Sequence, residues 1–273
     1  MPRSRVAALL LLGRAAAALS TRLTHCLQLA QRPWVDGAAP TGLVADVCCD
    51  HGYLAAELSS LGRAVVAVDA CADPLANCRR HYAWRGLEPV AFVLGDGVAA
   101  VQRDERLPWC ETAVVAGVGA RTTAKIVDAA CALSDPPRRF VVQPTQGWIE
   151  SVRDLRATLR DRGYSIREEA WLDDNGERHK INGRRYLCTL LADRAETVLL
   201  ADQADAAPSE LELLVGRSCD DAARRDYVRH HAAWLEEVLA LPPAAPKRQL
   251  AEIWLPLLRE ELSREWPEKD PAR

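Results

Sequence analysis

Short apolar runs alternate with longer segments of helical periodicity along much of the chain. The apolar runs predict strands over residues 43–48, 64–69, 89–94, 112–117 and 140–143. The segments between them predict helices over about residues 52–61, 74–85, 98–103 and 122–133. Asp73 and Pro74 mark the start of the second helix, because aspartate is a favoured N-cap and proline fits the first helical position. This alternation is typical of a parallel sheet with crossover helices.

The pattern changes after a predicted helix over residues 148–162. Two strand-like runs, residues 164–172 and 185–191, flank a polar loop that contains two Asn-Gly pairs. The loop is too short for a crossover helix, so the two strands must pair antiparallel. Methyltransferase-type Rossmann sheets end in this way, and dinucleotide dehydrogenases do not. We therefore predict an α/β fold with a class I methyltransferase, Rossmann-like sheet whose parallel strands are followed by an antiparallel terminal hairpin.

Helical patterns flank this predicted sheet on both sides. A proline-rich break at residues 242–246 separates a helix over residues 220–241 from an apolar stripe at Leu250, Ile253, Trp254, Leu257 and Leu258. This pattern predicts a C-terminal helical hairpin. The predicted segments are a helical leader at residues 1–37, a methyltransferase domain at residues 38–195 and the helical hairpin at residues 208–266.

The leader is basic, since its first 35 residues contain five arginines and no acidic residue. Its apolar run at residues 6–12 is far shorter than the roughly 20 residues that span a bilayer. A signal or transit peptide has a similar composition and remains an alternative. The helical pattern continues through Leu19, Leu23 and Leu27, which favours a leader helix with its basic face near the active site.

Composition narrows the possible partners and compartment. The chain carries a net charge of −3, and 31 of its 35 basic residues are arginine, so a nucleic-acid partner would need a local basic patch. The nine cysteines are scattered and lack zinc-binding spacing, which indicates reduced thiols in a cytoplasmic protein. We expect a monomer that binds no metal and does not span a membrane.

Acidic residues end two successive predicted strands. Asp46 and Asp69 lie 23 positions apart, similar to the roughly 20 residues between the glycine-rich turn and the ribose-binding acid of Rossmann folds. The helix that opens near Gly52 points its free N–H groups at the same crevice. Asp69 is therefore predicted to accept hydrogen bonds from ribose hydroxyls, and an exposed strand-end acid is the alternative.

Phosphate-binding motifs are missing from the chain. Neither G-x-G-x-x-G nor G-x-x-x-x-G-K-[ST] occurs, so there is little provision for a pyrophosphate or triphosphate. S-adenosylmethionine contains an adenosine and no phosphate, and it fits this absence. Gly95-Asp96-Gly97 would place a carboxylate where an adenine amino group can donate to it, although such a tripeptide is more often only a turn.

Several motifs in order resemble the bacterial TrmK family. They are residues 46–54 (DVCCDHGYL), 94–97 (LGDG), 116–120 (AGVGA) and 141–144 (VVQP), followed by Gly163-Tyr164, Ile166 and Glu169. The first motif is the most specific, and the resemblance spans residues 19–193. Members of that family are S-adenosylmethionine-dependent tRNA methyltransferases that act on N1 of the adenine at tRNA position 22 and carry a C-terminal helical extension. The resemblance implies this activity, cofactor and partner for the present chain.

The motifs and the resemblance predict three groups of site residues. The catalytic pair is Asp50 and His51. The predicted cofactor-binding residues are Asp46, Cys48, Gly52, Asp69, Asp96, Gly97, Ala116 and Gly117. The predicted substrate-binding residues are Arg22, Gly119, Arg121, Gln143, Pro144 and Arg185. Further phosphate contacts are predicted at Arg3, Arg5, Arg14, Lys125, Arg178, His179, Lys180 and Arg184.

The implied reaction suits these residue types. Neutral adenine N1 is already a nucleophile, so transfer from a sulfonium mainly requires alignment. Asp50 can stabilise the positive charge that develops on the ring, and His51 can hold the base edge, relay a proton or simply anchor the turn. Exocyclic-amine methyltransferases carry an Asn/Asp-Pro-Pro-aromatic motif where this chain has residues 116–119 (AGVG), which favours a ring nitrogen.

Two motifs depart from the family pattern. Cys48 stands where the family has glycine, and residues 116–120 stand where it has Ala-Gly-Met-Gly-Gly. A side chain at Cys48 would crowd the methionine part of the cofactor, because glycine there lets a ligand approach the backbone. A catalytically weak or inactive methyltransferase-fold module that binds tRNA or protein is therefore the alternative function. A methyltransferase for a small molecule or a protein is a third.

Overall fold

The fold is seen in a computed structural model that describes residues 19–145, 148–173, 186–194, 209–216 and 222–264. The described residues form one seven-stranded sheet in the order β3-β2-β1-β4-β5-β7-β6, in which β1 to β5 are parallel and β7 pairs antiparallel with β5 and β6. The strands are β1 (Leu43–Val47), β2 (Val65–Asp69), β3 (Ala91–Leu94), β4 (Cys110–Ala116), β5 (Arg139–Gln143), β6 (Tyr164–Asp173) and β7 (Tyr186–Arg194). The predicted sheet with its antiparallel terminal pair is confirmed.

Helices cover both faces of this sheet. They are α1 (Thr21–Ala30), α2 (Tyr53–Ser60), α3 (Ala72–Arg85), α4 (Gly97–Gln102), α5 (Ala120–Cys131), α6 (Ile149–Asp161), α7 (Glu210–Val215), α8 (Ala222–Leu239) and α9 (Arg248–Ser263). Helices α1 to α3 share an apolar cluster with Val44 and Val114. The other helices share a second cluster with the adjacent Ala45 and Val115. Because both faces are covered, β1, β4 and β5 are buried along their whole length.

Helix α3 begins two residues earlier than predicted. Cys71 is its N-cap residue, so Asp73 lies inside the first turn and Pro74 is the third helical residue. Proline is tolerated there because the first four N–H groups of a helix have no intrahelical partner. The backbone N–H of Cys71 donates to Asp69 Oδ1 at 2.9 Å, so the acid that ends β2 also starts this helix.

The C-terminal helices pack on the sheet as well as on each other. The predicted break between α8 and α9 is confirmed, and Tyr227 of α8 lies against Trp171 of β6 with ring centroids 3.9 Å apart. The buried stripe of α9 contains Ala251, Trp254, Leu255 and Leu258, whereas Ile253 is 52% exposed. The predicted stripe was therefore wrong at Ile253, because the side of α9 that packs inward carries Ala251 and Leu255 and turns Ile253 toward solvent.

Buried ion pairs fix the antiparallel end of the sheet. Nε and Nη2 of Arg139 in β5 donate to the two carboxylate oxygens of Asp193 in β7 at 2.7 and 2.9 Å, and both side chains are fully buried. Arg156 of α6 donates to Glu169 of β6. A buried charge must be paired to be tolerated, so the first contact links β5 to β7 and the second links α6 to β6.

The predicted leader is described only in its last part. Helix α1 lies within the described residues, whereas Arg3, Arg5, Arg14 and the apolar run at residues 6–12 lie outside them. None of the helices in the described part of the chain combines the length and the hydropathy that a bilayer crossing requires.

Candidate active site

The carboxyl ends of the five parallel strands meet at one edge of the sheet. In register, Asp46 of β1 lies beside Ala67 of β2 and Val114 of β4, and Ala116 lies beside Gln143 of β5. Ligands of open α/β sheets bind at this edge. The fold thus brings together the predicted site residues of β1 to β5 and of the turns that follow these strands.

The turn after β1, residues 48–52, is called the ligand turn below. Cys48, Asp50 and Gly52 have φ angles of 62°, 47° and 69°, so three of its residues adopt the left-handed conformation. The N–H of Gly52 donates to Cys49 O at 2.7 Å. A Cβ at Gly52 would lie 2.2 Å from Cys78 Sγ, so only glycine fits at this position.

Asp69 holds the ligand turn from the end of β2. Its Oδ2 accepts from the N–H of Asp50 at 3.2 Å, while its Oδ1 accepts from the N–H of Cys71 at 2.9 Å. A carboxylate has about four acceptor positions, so both oxygens retain capacity for ribose hydroxyls. The role predicted from the sequence was incomplete, because Asp69 also organises the backbone of the turn.

Asp46 lies behind the ligand turn rather than on its open side. The carboxyl is 3% exposed, and its Oδ2 accepts from the N–H of Ala55 in α2 at 3.1 Å. Burial raises the pKa of Asp46 to about 7, and the nearby Asp69 adds to this rise. Asp46 therefore connects β1 to the first turn of α2 and is close to its midpoint of ionisation at neutral pH.

Asp50 and His51 stand at the open side of the ligand turn. Their side chains are 66% and 50% exposed, and His51 Nε2 lies 3.7 Å from Asp50 Oδ2. Gly52 is the N-cap residue of α2, and the side chain that accepts from an N–H of its first turn is that of Asp46, so His51 does not have the capping role. The pair is open to a large substrate.

The His51 ring stacks on a residue to which the sequence analysis assigned no role. Tyr53, the first residue of α2, is 47% exposed, and its ring centroid lies 5.5 Å from that of His51. His81 of α3 meets the other side of Tyr53 at 4.9 Å. The sequence contains a signal for this contact, because His51 and Tyr53 of the DHGYL motif are aromatic residues only two positions apart.

Cys48 lies among the acids of the site. Burial raises the pKa of its thiol to about 11, and Asp69, Asp46 and Asp96 raise it further. The thiol is therefore protonated at neutral pH, and it does not supply a thiolate nucleophile. Because these three carboxylates all raise the pKa of the thiol, the thiol lies close to residues that are predicted to hold the cofactor.

Arg22 of the leader helix α1 lies at the carboxyl ends of β4 and β5. Arg22 Nη1 of α1 donates to Gln143 Oε1 at 3.0 Å, and Gln143 Nε2 donates to Pro144 O at 2.7 Å. Gly117 has a φ of 86°, and a Cβ there would lie 3.6 Å from Arg22 Nη1. The leader helix thus carries Arg22 to the site, whereas Arg32 at its other end pairs with Glu168 of β6; the basic face as a whole stays a prediction.

The remaining predicted residues lie at helix starts around the same edge or outside the described residues. Asp96 is the exposed N-cap residue of α4, and its carboxylate has no hydrogen-bond partner among the residues described. Gly97 follows it with a φ of 60°. Gly119 is the N-cap residue of α5, and Arg121 is exposed in the first turn.

Arg185 and the hairpin-loop residues Arg178, His179, Lys180 and Arg184 lie outside the described residues. Within the described segments, no cluster of His, Cys, Asp and Glu has the arrangement of a metal site.

Solved structures share this fold over most of the chain. TrmK of M. capricolum in complex with S-adenosyl-homocysteine has a TM-score of 0.69 at 17% identity and covers 89% of this chain and 97% of its own. The B. subtilis m1A22 tRNA methyltransferase TrmK has a TM-score of 0.65 at 18% identity and covers 89% and 98%. Streptococcus pneumoniae Sp1610 in complex with S-adenosyl-L-methionine has a TM-score of 0.67 at 21% identity and covers 89% and 99%.

Sequence comparison identifies the family. No curated protein matches the chain. The family model described as a methyltransferase domain matches residues 34–181, which is more than half of the chain and includes every strand from β1 to β6. The chain therefore belongs to the methyltransferase domain family.

Proposed function

We propose that the protein is an S-adenosylmethionine-dependent methyltransferase that modifies N1 of adenine in tRNA, at position 22. The observation that carries the proposal is the exposed Asp50–His51 pair, held on the left-handed ligand turn beside Asp69. An exposed acid–histidine pair, beside a carboxylate that can accept hydrogen bonds from ribose hydroxyls, suits a reaction on a base of a large substrate. The B. subtilis and M. capricolum TrmK structures share the fold and support this substrate class.

The site fits an adenosine without phosphates. Asp69 and Asp96 follow neighbouring strands, and the carboxylate of Asp96 is exposed, with no partner in the described segments. Carboxylates accept hydrogen bonds from ribose hydroxyls and from an adenine amino group. Cys48 and Gly52 would border the rest of the cofactor, together with Gly97, Ala116 and Gly117, while the buried Asp46 supports the ligand turn from behind. When bound, S-adenosylmethionine supplies an electrophilic methyl group on its sulfonium.

The residues of the chain mainly have to orient the base. Neutral adenine N1 has a free lone pair, and it forms the new N–C bond as the methyl C–S bond breaks, so no strong base is required. The ring becomes cationic, and the carboxylate of Asp50 stabilises that charge as it develops. His51 holds the base edge, since its ring is positioned by stacking on Tyr53.

Groups on the other side of the site would hold the RNA. Reaching N1 in a folded tRNA requires the adenine to leave its stack, at a cost of a few kcal/mol. Arg22 stands on one side, held by Gln143, which is itself buried and bonded to Pro144 O, so Gln143 and Pro144 position Arg22 rather than contact the RNA. Gly119 and Arg121 start α5 at the same edge. Cationic side chains bind phosphates, so Arg22 and Arg121 offset this cost together with Arg185 of the hairpin loop.

The proposal treats the chain as three segments. Residues 1–37 supply Arg22, residues 38–195 bind the cofactor and carry out the reaction, and residues 208–266 form a helical hairpin that packs on the sheet. The free cysteines, among them the buried Cys26, Cys78 and Cys110, suit a reducing cytoplasm. We propose a cytoplasmic monomer.

The test is transfer of labelled methyl groups from S-adenosylmethionine to a tRNA transcript, with the Asp50→Ala variant beside the wild type. Asp50→Ala is expected to lower kcat at least about tenfold, since electrostatic stabilisation of a transition state is worth a few kcal/mol, and to leave the cofactor Kd unchanged. A wild type that binds tRNA but transfers no methyl group would contradict the proposal and favour the non-catalytic module. Transfer only to protein or to small molecules would favour the third function.

A further inference from the structure

A cleft opens between the domain and its C-terminal helices, next to the candidate active site. Its volume is about 760 Å³, within the roughly 300–1,000 Å³ of small-molecule sites. One wall is formed by the first turns of α5 and α6, and the opposite wall is formed by α8 and the turn that leads to α9. The cleft includes Gly119 and Arg121, so it is continuous with the predicted substrate side of the site.

The walls of the cleft are aromatic and apolar. Trp148, the N-cap residue of α6, is 42% exposed, and its ring centroid lies 5.6 Å from that of Trp234 in α8. Leu241 at the rim is 49% exposed. Large apolar side chains that line an open concave site mark a binding surface.

A buried histidine holds the two walls together. The N–H of Ile149 donates to His231 Nε2 at 3.3 Å, so the ring must donate from Nδ1, which lies 3.0 Å from Tyr227 O. Burial lowers the pKa of His231 to about 3, so the ring stays neutral and this pattern is stable. The position of Trp148 relative to α8 is thereby built into the fold.

The charges at the cleft favour an anionic ligand. Lys247 Nζ lies 5.1 Å from the centroid of the Trp234 ring and 2.9 Å from Glu150 Oε1. Arg121 is exposed and makes no ion pair with any residue that the structure describes. Two cations thus face a single acid, beside aromatic rings, and this combination matches the phosphate and base of a nucleotide.

We propose that this cleft binds a nucleotide next to the target adenine, with its base stacked on Trp148 and its phosphate near Arg121 and Lys247. The inference rests on the proposed function and adds a second, non-reacting subsite to it. Binding energy from such a remote group helps to hold the reacting base outside its stack. It also gives the C-terminal helices a direct role in substrate binding.

The test compares variants by their affinity for a tRNA transcript at saturating S-adenosyl-homocysteine. Trp148→Ala is expected to raise the Kd for tRNA about 5- to 150-fold, the range for loss of one base–aromatic stack. Trp148→Phe keeps a stacking ring and is expected to restore most of the affinity. Trp109→Ala is the control, because Trp109 directly precedes β4 at the opposite edge of the sheet, and its Kd is expected to stay within about twofold of wild type.

The salt dependence of tRNA binding gives a second, independent comparison, between two cationic residues that each pair with one acid. Lys247→Ala is expected to reduce the slope of log Kd against log salt concentration by about 0.7–0.9, the loss of one phosphate contact. Arg259→Ala is its control, since Arg259 lies on the same pair of helices, is similarly exposed and also pairs with one acid, Glu236, at 2.8 Å. That control is expected to leave the slope unchanged.

The outcomes separate this inference from the proposed function. A wild type that methylates tRNA while Trp148→Ala binds it equally well would overturn the inference and leave the function intact. A wild type that neither binds nor methylates tRNA would overturn both. A concentration-dependent dimer that is lost in Trp148→Ala would show that a second copy of the chain fills the cleft, and this would also overturn the inference.

Discussion

Replacing Cys48 by glycine tests how the ligand turn is adapted to its ligand. Cys48 has a φ of 62°, and a residue with a side chain pays roughly 1–2 kcal/mol in the left-handed region. Glycine avoids this cost but loses about 0.4–1 kcal/mol through the greater freedom of the unfolded chain. These two effects oppose each other, so we expect the free energy of unfolding to stay level or to rise by up to about 1.6 kcal/mol.

The expected effect on cofactor affinity is larger. Asp69, Asp46 and Asp96 all act on the Cys48 thiol, so its Sγ occupies space beside the residues proposed to hold the cofactor. An extra group in a packed site costs about 1–3 kcal/mol. We therefore expect Cys48→Gly to bind S-adenosylmethionine at least about fivefold more tightly than wild type. The ratio should be constant between about pH 6 and 9, because the thiol pKa is about 11.

Isothermal titration calorimetry and urea denaturation measure the two effects separately. The matched control is Cys48→Ala, which removes Sγ and keeps the strained backbone, so it separates side-chain crowding from backbone strain. If crowding dominates, alanine and glycine should tighten binding similarly. Equal affinity in wild type, Cys48→Ala and Cys48→Gly would refute the reasoning, as would a loss of more than about 1 kcal/mol of stability in the glycine variant.

Three further predictions concern the acids of the fold. The folded-state pKa of Asp46 is raised from 3.8 to about 7, so wild-type stability should fall by a few kcal/mol as the pH rises from 4 to 7, and urea denaturation of Asp46→Asn should show a flatter profile. Asp193→Ala should lower the free energy of unfolding by about 3–5 kcal/mol, because it leaves Arg139 buried and unpaired; urea denaturation of a double variant with both residues apolar should recover much of it. By calorimetry, Asp69→Ala should abolish S-adenosylmethionine binding while Asp50→Ala preserves it; equal affinity of Asp69→Ala and wild type would exclude the ribose role.

The arrangement of strands could be predicted from the sequence because burial on both faces leaves a plain signal. β1, β4 and β5 are buried along their length and mostly apolar, and the short polar loop after β6 forces antiparallel pairing. The ends of elements were less accurate. Pro74 and Asp73 suggested a helix start that Asp69 sets two residues earlier, through its bond to the N–H of Cys71.

The site was predicted in its parts but not in its contacts. The residues of the ligand turn and of the strand ends could be found by motif and spacing, since parallel strands bring their carboxyl ends together. The second role of Asp69, the contact of His81 with Tyr53 and the pairing of Trp148 with Trp234 depend on tertiary packing. No local pattern in the sequence encodes contacts between residues so far apart in the chain as Trp148 and Trp234.

The most direct test of the central claim is the position and identity of the methylated nucleoside. An unmodified tRNA transcript is incubated with the protein and S-adenosylmethionine, digested, and examined by mass spectrometry, beside a transcript in which guanine replaces adenine 22. We predict 1-methyladenosine at position 22 of the first transcript and none in the second. The absence of 1-methyladenosine, or an equal amount in both transcripts, would contradict the claim.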